Sequence, residues 1–384
     1  IRKIVKRIEE KITSNNIRII LVVSAMGGVT NKLVKEYKKL NVDLANAEYD
    51  VILSTGEQYS AAIISSMLNE RKILSRSILG WQVPILTDSN YSKARISNIN
   101  SKSLKNYLKK YKVLVVAGFQ GLSTENRITT LGRGGSDTTA VAIACSLGLK
   151  SCEIYTDVDG IFTSDPRVVK SAVKIKNITY EEILELASLG SKVLHPRSVE
   201  LAMKYGIRVH VRSSFNRKSG TMVIKEENKI EKEVVTGITS SENDAKITLK
   251  GIPDKPGIAA EIFGILASLN INVDMIVQNI TDDGKFASLT FTVPVDDQGR
   301  AVKELKKSEI KFKKIHANNS ICKISIVGVG MKSNVGVAQK MFETLANKNI
   351  NIQVISTSEI KISVLIDLQK KKIALNALHK AYGL

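Results

Sequence analysis

The sequence predicts an α/β protein: a sheet covered by helices on both faces, followed by two smaller βαββαβ units. Three observations carry this expectation. Short apolar runs alternate with helical segments over residues 1–225, glycine-rich and polar clusters sit at the ends of those runs, and a twenty-residue pattern recurs toward the C-terminus.

The apolar runs come first. "IRIILVV" (17–23) leads into Ser24 and two glycines, as a buried parallel strand feeding a loop and helix does. "KVLVVAGFQG" (112–121), "SCEIYTDVDG" (151–160) and "IRVHVRSS" (207–214) repeat the design. Helices are expected over 56–70, 135–147, 180–188 and 196–205, and an amphipathic one at the start, where Ile1, Ile4, Val5, Ile8 and Ile12 recur at helical spacing. Ligands bind beyond the carboxyl ends of strands in such sheets, which is where every polar cluster falls.

Residues 226–244 are charged and read as a linker between a first domain at 1–225 and two repeats, placed at 245–318 and 319–384. "GIAAEIFGILASLNINVDMI" starts at Gly257 and "GVAQKMFETLANKNINIQVI" at Gly336, an offset of 79 residues. Each copy reads strand, loop, helix, strand, strand, helix, with a last strand evident only in the first.

Composition excludes several classes. Hydrophobic residues make up 43% and charged residues 24%, with no apolar run of the ~18–20 residues a membrane span needs, so neither a membrane partner nor a secretory leader is expected. Three cysteines and four histidines show no metal spacing, and a reducing cytoplasm suits them. The net charge of +20 is spread along the chain. With aromatics at 5%, it reads as a solvated surface rather than a nucleic-acid footprint. The βαββαβ order is shared with RNA-recognition domains, but "KFASLTFTVPV" lacks their aromatic signature. Its Ala287, Leu289, Phe291 and Val293 alternate as one buried face.

The densest chemistry lies in "TTLGRGGSDTTAVAIA" (129–144). A helix N-terminus offers unpaired N–H groups, glycines allow close approach, and Arg133 adds a planar fork for a carboxylate or phosphate. Gly134, Gly135 and Ser136 complete an anion site, against the simpler reading of a glycine turn with a capped helix. "VVSAMGGVTNKL" places Ser24 and Thr30 in a similar turn, and "LSTGEQYSAAI" puts Glu57 at a helix start, as partner for an ammonium or merely for the helix dipole. "YTDVDGIFTSDPRVV" mixes acids, hydroxyls, Phe162 and Arg167 without EF-hand spacing, which suits a nucleotide better than calcium. Lys192 sits in a turn before a Pro-initiated helix. His195 reads as structural, since no nucleophile lies near it.

Taken in order, "VVSAMGGVTNKLV", "STGEQYSA", "VAGFQG", "TLGRGGSDTTA", "YTDVDGIFTSDPR" and "GSKVLHPRSVE" resemble the aspartokinases of the amino acid kinase superfamily, and the repeat resembles a pair of ferredoxin-like ACT domains. The resemblance covers essentially the whole chain and is to a monofunctional form, with no fused dehydrogenase expected. It implies transfer of the γ-phosphoryl of ATP to the side-chain carboxylate of L-aspartate, opening lysine, threonine and methionine synthesis. It places Thr30, Glu57, Arg133, Gly134, Gly135 and Ser136 at aspartate. Ser24, Thr156, Asp157, Phe162, Thr163, Ser164, Asp165, Pro166, Arg167, Lys192 and Val193 would surround ATP, with Mg²⁺ on the phosphates and no dedicated protein metal site. Arg133, Lys192 and Asp137 would be catalytic, Asp137 by orienting a cationic side chain.

For the ACT-like pair the resemblance implies homo-oligomers and amino acid effectors, lysine or threonine or both. Candidates are Asp254, Gly257, Ile258, Ala259, Gln278 and Asn279 in the first copy, and Val335, Gly336, Val337, Ala338, Asn351 and Ile352 in the second. The repeats serving only dimerisation is the simpler alternative, and a kinase acting on glutamate or its acetyl derivative is the nearest rival. One departure stands out: the family opens with a Lys-Phe-Gly-Gly-Thr-Ser strand, whereas this sequence starts in the helix that follows. Without that lysine the expectation is a truncated enzyme of little or no activity, short of an electrostatic donor worth about 3–4 kcal/mol or more.

Overall fold

The structure, a computed structural model, describes residues 1–40, 46–189, 193–225, 234–282 and 284–384. These form two compact units. The first draws on 1–161, 174–187 and 193–225, and the second on 162–173, 188–189 and 234–384. Two segments inside the expected first domain 1–225, namely 162–173 and 188–189, group with the C-terminal part.

In the first unit the elements run α1 (Arg2–Asn15), β1 (Ile19–Val23), α2 (Val29–Tyr37), α3 (Ala47–Glu70), β2 (Ser75–Ile78), β3 (Ile85–Thr87), β4 (Ile96–Ile99), α4 (Ser101–Lys110), β5 (Val113–Ala117), β6 (Gln120–Leu122), β7 (Ile128–Thr130), α5 (Gly135–Ser146), β8 (Ser151–Thr156), β9 (Asn177–Thr179), α6 (Tyr180–Ser188), α7 (Pro196–Tyr205), β10 (Arg208–Ser213) and β11 (Thr221–Ile224). The four apolar runs do form parallel strands, but in two sheets. β1 and β2 flank β5, while β8 pairs with β10, which continues through β11 to β9. A third sheet, β4-β3-β6-β7, is built of strands too short to announce themselves by alternation. α5 packs against both β1 and β8 and so bridges the parallel sheets. The apolar face of α1 is as expected at Val5 and Ile8, which are buried beside Val23, Ala61 and Val115, whereas Ile1 and Ile4 are exposed.

α3 begins nine residues before the expected start. Asn46 caps it by accepting from Tyr49 N–H at 2.9 Å. Gly56, the first residue of the expected helix, lies mid-helix. A Cβ there would sit 2.7 Å from Ala25 Cβ, so the glycine exists for close packing.

The second unit contains β12 (Gly237–Ser241), β13 (Asp244–Pro253), α8 (Ile258–Ser268), β14 (Asp274–Ile280), β15 (Phe286–Pro294), α9 (Gln298–Lys307), β16 (Lys314–Asn318), β17 (Ile321–Val327), α10 (Val337–Ala346), β18 (Val354–Ser358), β19 (Lys361–Asp367) and α11 (Lys371–Tyr382). The first repeat makes sheet β14-β15-β13-β16 and the second β12-β17-β19-β18. The expected linker 226–244 therefore needs correction: its residues 237–241 are an edge strand antiparallel to β17. They supply the last strand that the second repeat lacks downstream, so the first repeat is inserted within the second. The repeat itself is confirmed in detail. Gly257 (φ 92°) and Gly336 (φ 85°) cap equivalent helices, and Asn270 (φ 55°) and Asn349 (φ 52°) take equivalent left-handed positions. Ala287, Leu289, Phe291 and Val293 are all buried, as their alternation requires.

Candidate active site

The carboxyl ends of β1 and β5 lie side by side, with Gly118 N–H donating to Val23 O at 3.0 Å. Two helices start there. α2 follows the turn Met26–Gly28, and α5 follows Gly132-Arg133-Gly134. Gly28 (φ 82°) and Gly134 (φ 66°) are their N-caps, and neither helix has a side-chain cap, in contrast to α3 and α4. Two helix mouths are thus left with N–H groups that no side chain satisfies.

A cavity of about 280 Å³ opens at this place. It is lined by Ser24, Ala25, Thr30, Glu57, Phe119, Gly132, Arg133, Gly134, Gly135, Ser136 and Asp137. The whole set expected at aspartate is present, together with Ser24 and Asp137. Glu57 is 4% exposed. Its Oε1 accepts from Ala25 N–H at 3.0 Å, while Oε2 is buried with no partner among the described residues. Burial pushes this carboxyl up to about 7, against the Ala25 N–H that holds it down. Burial likewise raises Asp137 to about 6, and no described residue forms an ion pair with it. Arg133 is exposed at the mouth.

The walls are held from a distance. Gly118 abuts Ser136, where a Cβ would come within 2.8 Å, and Phe119 N–H donates to Thr139 Oγ1 at 3.2 Å. Phe119 itself has φ 68°, a strained value for a non-glycine residue, in the "VAGFQG" turn. Arg197 of α7 donates from Nη1 to Leu131 O at 2.5 Å and from Nη2 to Ala94 O at 2.9 Å, fixing the chain just before Gly132. Buried Asp50 accepts from Ser92 N–H, Thr130 N–H and Thr130 Oγ1 within 2.6–3.0 Å and anchors the same strand. Phe119, Arg197 and Asp50 have no sequence signal beyond their motifs. His195 caps α7, accepting from Arg197 N–H at 3.4 Å, and its ring lies against Gly134.

The residues expected at ATP are dispersed over the two units. Thr156 ends β8 and donates to Asp157 Oδ1 at 3.1 Å; Asp157 is exposed. Val193 is half-buried in the turn before α7, and Lys192 lies outside the described residues. Phe162, Thr163, Ser164, Asp165, Pro166 and Arg167 belong to the second unit. Thr163 and Ser164 are buried there, leaving Pro166 and Arg167 exposed and Phe162 and Asp165 half-exposed. Asp165 pairs with Arg167 at 2.9 Å, which holds its carboxyl below the usual range.

In the repeats, Asp254 and Gln278 meet at 3.5 Å beside the Gly257 cap, with Ile258 buried, Ala259 half-buried and Asn279 exposed on β14. Val335 and Gly336 are exposed before α10, Val337 is buried and Ala338 half-buried. At the 79-residue offset Gln278 and Asn279 correspond to Thr357 and Ser358 of β18, whereas Asn351 and Ile352 precede that strand.

No described helix is long and apolar enough to cross a membrane. Fold and cavity together define an α/β domain with an anion-suited cavity at its strand ends, joined to a pair of interleaved βαββαβ domains. The amino acid kinase family model matches residues 1–213, and ACT domain models match 247–309 and 324–382. An aspartate kinase of Stutzerimonas stutzeri is 47% identical over 369 residues, covering 95% of this chain and 89% of its own. Escherichia coli aspartokinase III in complex with aspartate and ADP (R-state) superposes with a TM-score of 0.81 at 26% identity, covering 98% and 96% of the two chains. The same protein in complex with lysine and aspartate (T-state) gives 0.75 at 26%, covering 98% and 95%. The chain belongs to the amino acid kinase family and, within it, to the aspartokinases.

Proposed function

We propose that the cavity binds L-aspartate and that the enzyme transfers the γ-phosphoryl of ATP to its side-chain carboxylate, giving 4-phospho-L-aspartate, the first step toward lysine, threonine and methionine. The observation that carries this is the pairing, in one cavity, of a buried carboxylate whose Oε2 lacks a partner among the described residues (Glu57) with a guanidinium and an uncapped helix mouth (Arg133, Gly134–Ser136). One pole suits an ammonium and the other an anionic group.

The acceptor carboxylate has an ordinary pKa of about 3.9 and is ionised at neutral pH. No base is needed. The barrier is the approach of two anions, so the residues act by positioning and by neutralising charge. In this reading Glu57 takes the α-ammonium while Thr30, Arg133 and the α5 N–H groups hold the carboxylates. On the family resemblance, Ser24, Thr156, Asp157, Phe162–Arg167, Lys192 and Val193 remain the candidates for ATP, and Lys192 would neutralise the transferring group. Mg²⁺, when bound with ATP, supplies further neutralisation at the phosphates. The cavity offers Asp137 as its one spare carboxylate beside Glu57. Its pKa of about 6, set by burial without a described cation, fits a group waiting for a positive partner. In this reading that partner is a cationic side chain at the phosphates, which Asp137 orients.

The ACT pair, by the same reading, binds lysine or threonine and mediates homo-oligomerisation. Aspartokinase III of E. coli is seen with lysine and aspartate together. The deciding experiment follows ADP release by the full-length protein with aspartate, glutamate and acetylglutamate, each with and without lysine or threonine. Turnover confined to aspartate and reduced by an effector is expected. Equal or greater turnover with glutamate or its acetyl derivative would replace the substrate, and indifference to both effectors would remove the regulatory reading.

A further inference from the structure

Residues 162–173 include the stretch assigned above to ATP, yet they are built into the C-terminal unit. Val168, Val169 and Ala172 pack in the core of the second ACT domain with Ile324, Met341 and Leu378. Thr163 O accepts from Ile238 N–H of β12 at 2.7 Å, and Thr163 N–H donates to Val173 O at 2.9 Å. Between these anchors stands His379 of α11, 1% exposed. Its Nε2 lies 2.9 Å from Thr163 Oγ1 and its Nδ1 3.2 Å from Ser171 Oγ. Thr163 Oγ1 already accepts from Val173 N–H at 3.0 Å, which leaves its proton to donate to Nε2 while Nδ1–H donates to Ser171.

We propose that His379 is a positioning residue for ATP: one imidazole of the regulatory helix ties both ends of the 163–171 segment and thereby sets the pose of Asp165, Pro166 and Arg167 at its tip. This rests on the reading that Phe162–Arg167 borders the nucleotide. Thr163 then contributes through its bond to His379 rather than through contact with ATP.

The test compares His379→Leu, His379→Gln, Ser171→Ala and Arg167→Ala in the full-length protein, reading KM for ATP, KM for aspartate and kcat separately. His379→Leu removes the imidazole partner of the buried Thr163 hydroxyl and of the exposed Ser171 hydroxyl, and KM for ATP should rise about tenfold while KM for aspartate changes by less than about twofold. Ser171→Ala and His379→Gln each keep one tie and should fall between. They decide the matter if His379→Leu does not fold. Cooperatively melting His379 and Ser171 variants with an unchanged KM for ATP overturn the proposal. Arg167→Ala separates the two claims. If it alone raises KM for ATP, the nucleotide reading stands and the role of His379 falls. If it too is silent, the nucleotide reading falls as well.

Discussion

Glu57 shows what one buried carboxylate contributes in opposite directions. Its ordinary pKa of 4.5 becomes about 7 because water is excluded, so near neutrality the empty site holds it half protonated. Pairing with an ammonium needs the ionised form. Hence kcat/KM for aspartate should fall about tenfold per unit as pH drops below 7, and Glu57→Gln should abolish that limb and weaken aspartate at least about tenfold at pH 8. The linkage runs the other way for stability. A folded-state pKa above the unfolded one means the native state holds the extra proton, so Glu57's own contribution to stability is greatest below about 4.5 and is lost as pH rises through 7. Glu57→Gln should therefore melt higher than wild type at pH 8. An unaltered pH profile in that variant would remove Glu57 from substrate binding. Thr30 and Arg133 are legible in the sequence because each sits at a glycine-marked turn that opens a helix, whereas Glu57, mid-helix in α3, is legible only through its motif. Asp50, Arg197 and His379 are not. Each acts through bonds to residues 42 to 216 positions away, and such contacts leave no local pattern.

Elements carry a second layer of information. The uncapped start of α5 is possible because Gly134 is left-handed and because His195 occupies the space where its side chain would be. A Cβ there would lie 2.1 Å from His195 Cβ. Gly134→Ala combines an unfavourable φ with a backbone-proximal clash and should cost about 3 kcal/mol, read as a lowered urea midpoint at unchanged slope. A midpoint equal to wild type would show that α5 and α7 are not seated against each other as described. Periodicity located most helices within a few residues. It misjudged α3, where Gly56 serves packing against Ala25 rather than opening the helix, and β12, where five short, weakly apolar residues follow a charged stretch and are specified by pairing with β17.

At the scale of the whole chain, the insertion of one ACT domain inside the other makes an asymmetric demand on folding. The first domain's core, from Ala245 through Leu305, is contiguous in sequence. The second domain's core requires Ile238 from upstream and Val169 from further still. Residues 243–319 expressed alone should unfold cooperatively, whereas 319–384 alone should not, lacking the edge strand and part of the core. Cooperative melting of 319–384 would show that β12 is dispensable. The repeat was legible as similarity over twenty residues. The insertion was legible only as the missing last strand of the second copy, since strand order is a long-range property.

The central claim is that a guanidinium and a helix mouth, opposed by a buried carboxylate, hold a small anionic amino acid. Calorimetric titration of aspartate into the full-length protein and into Arg133→Ala tests it most directly. Saturable binding by the wild type, weakened at least about tenfold in the variant as loss of a charge-assisted contact requires, is the predicted result. Equal affinity in the two proteins would contradict it.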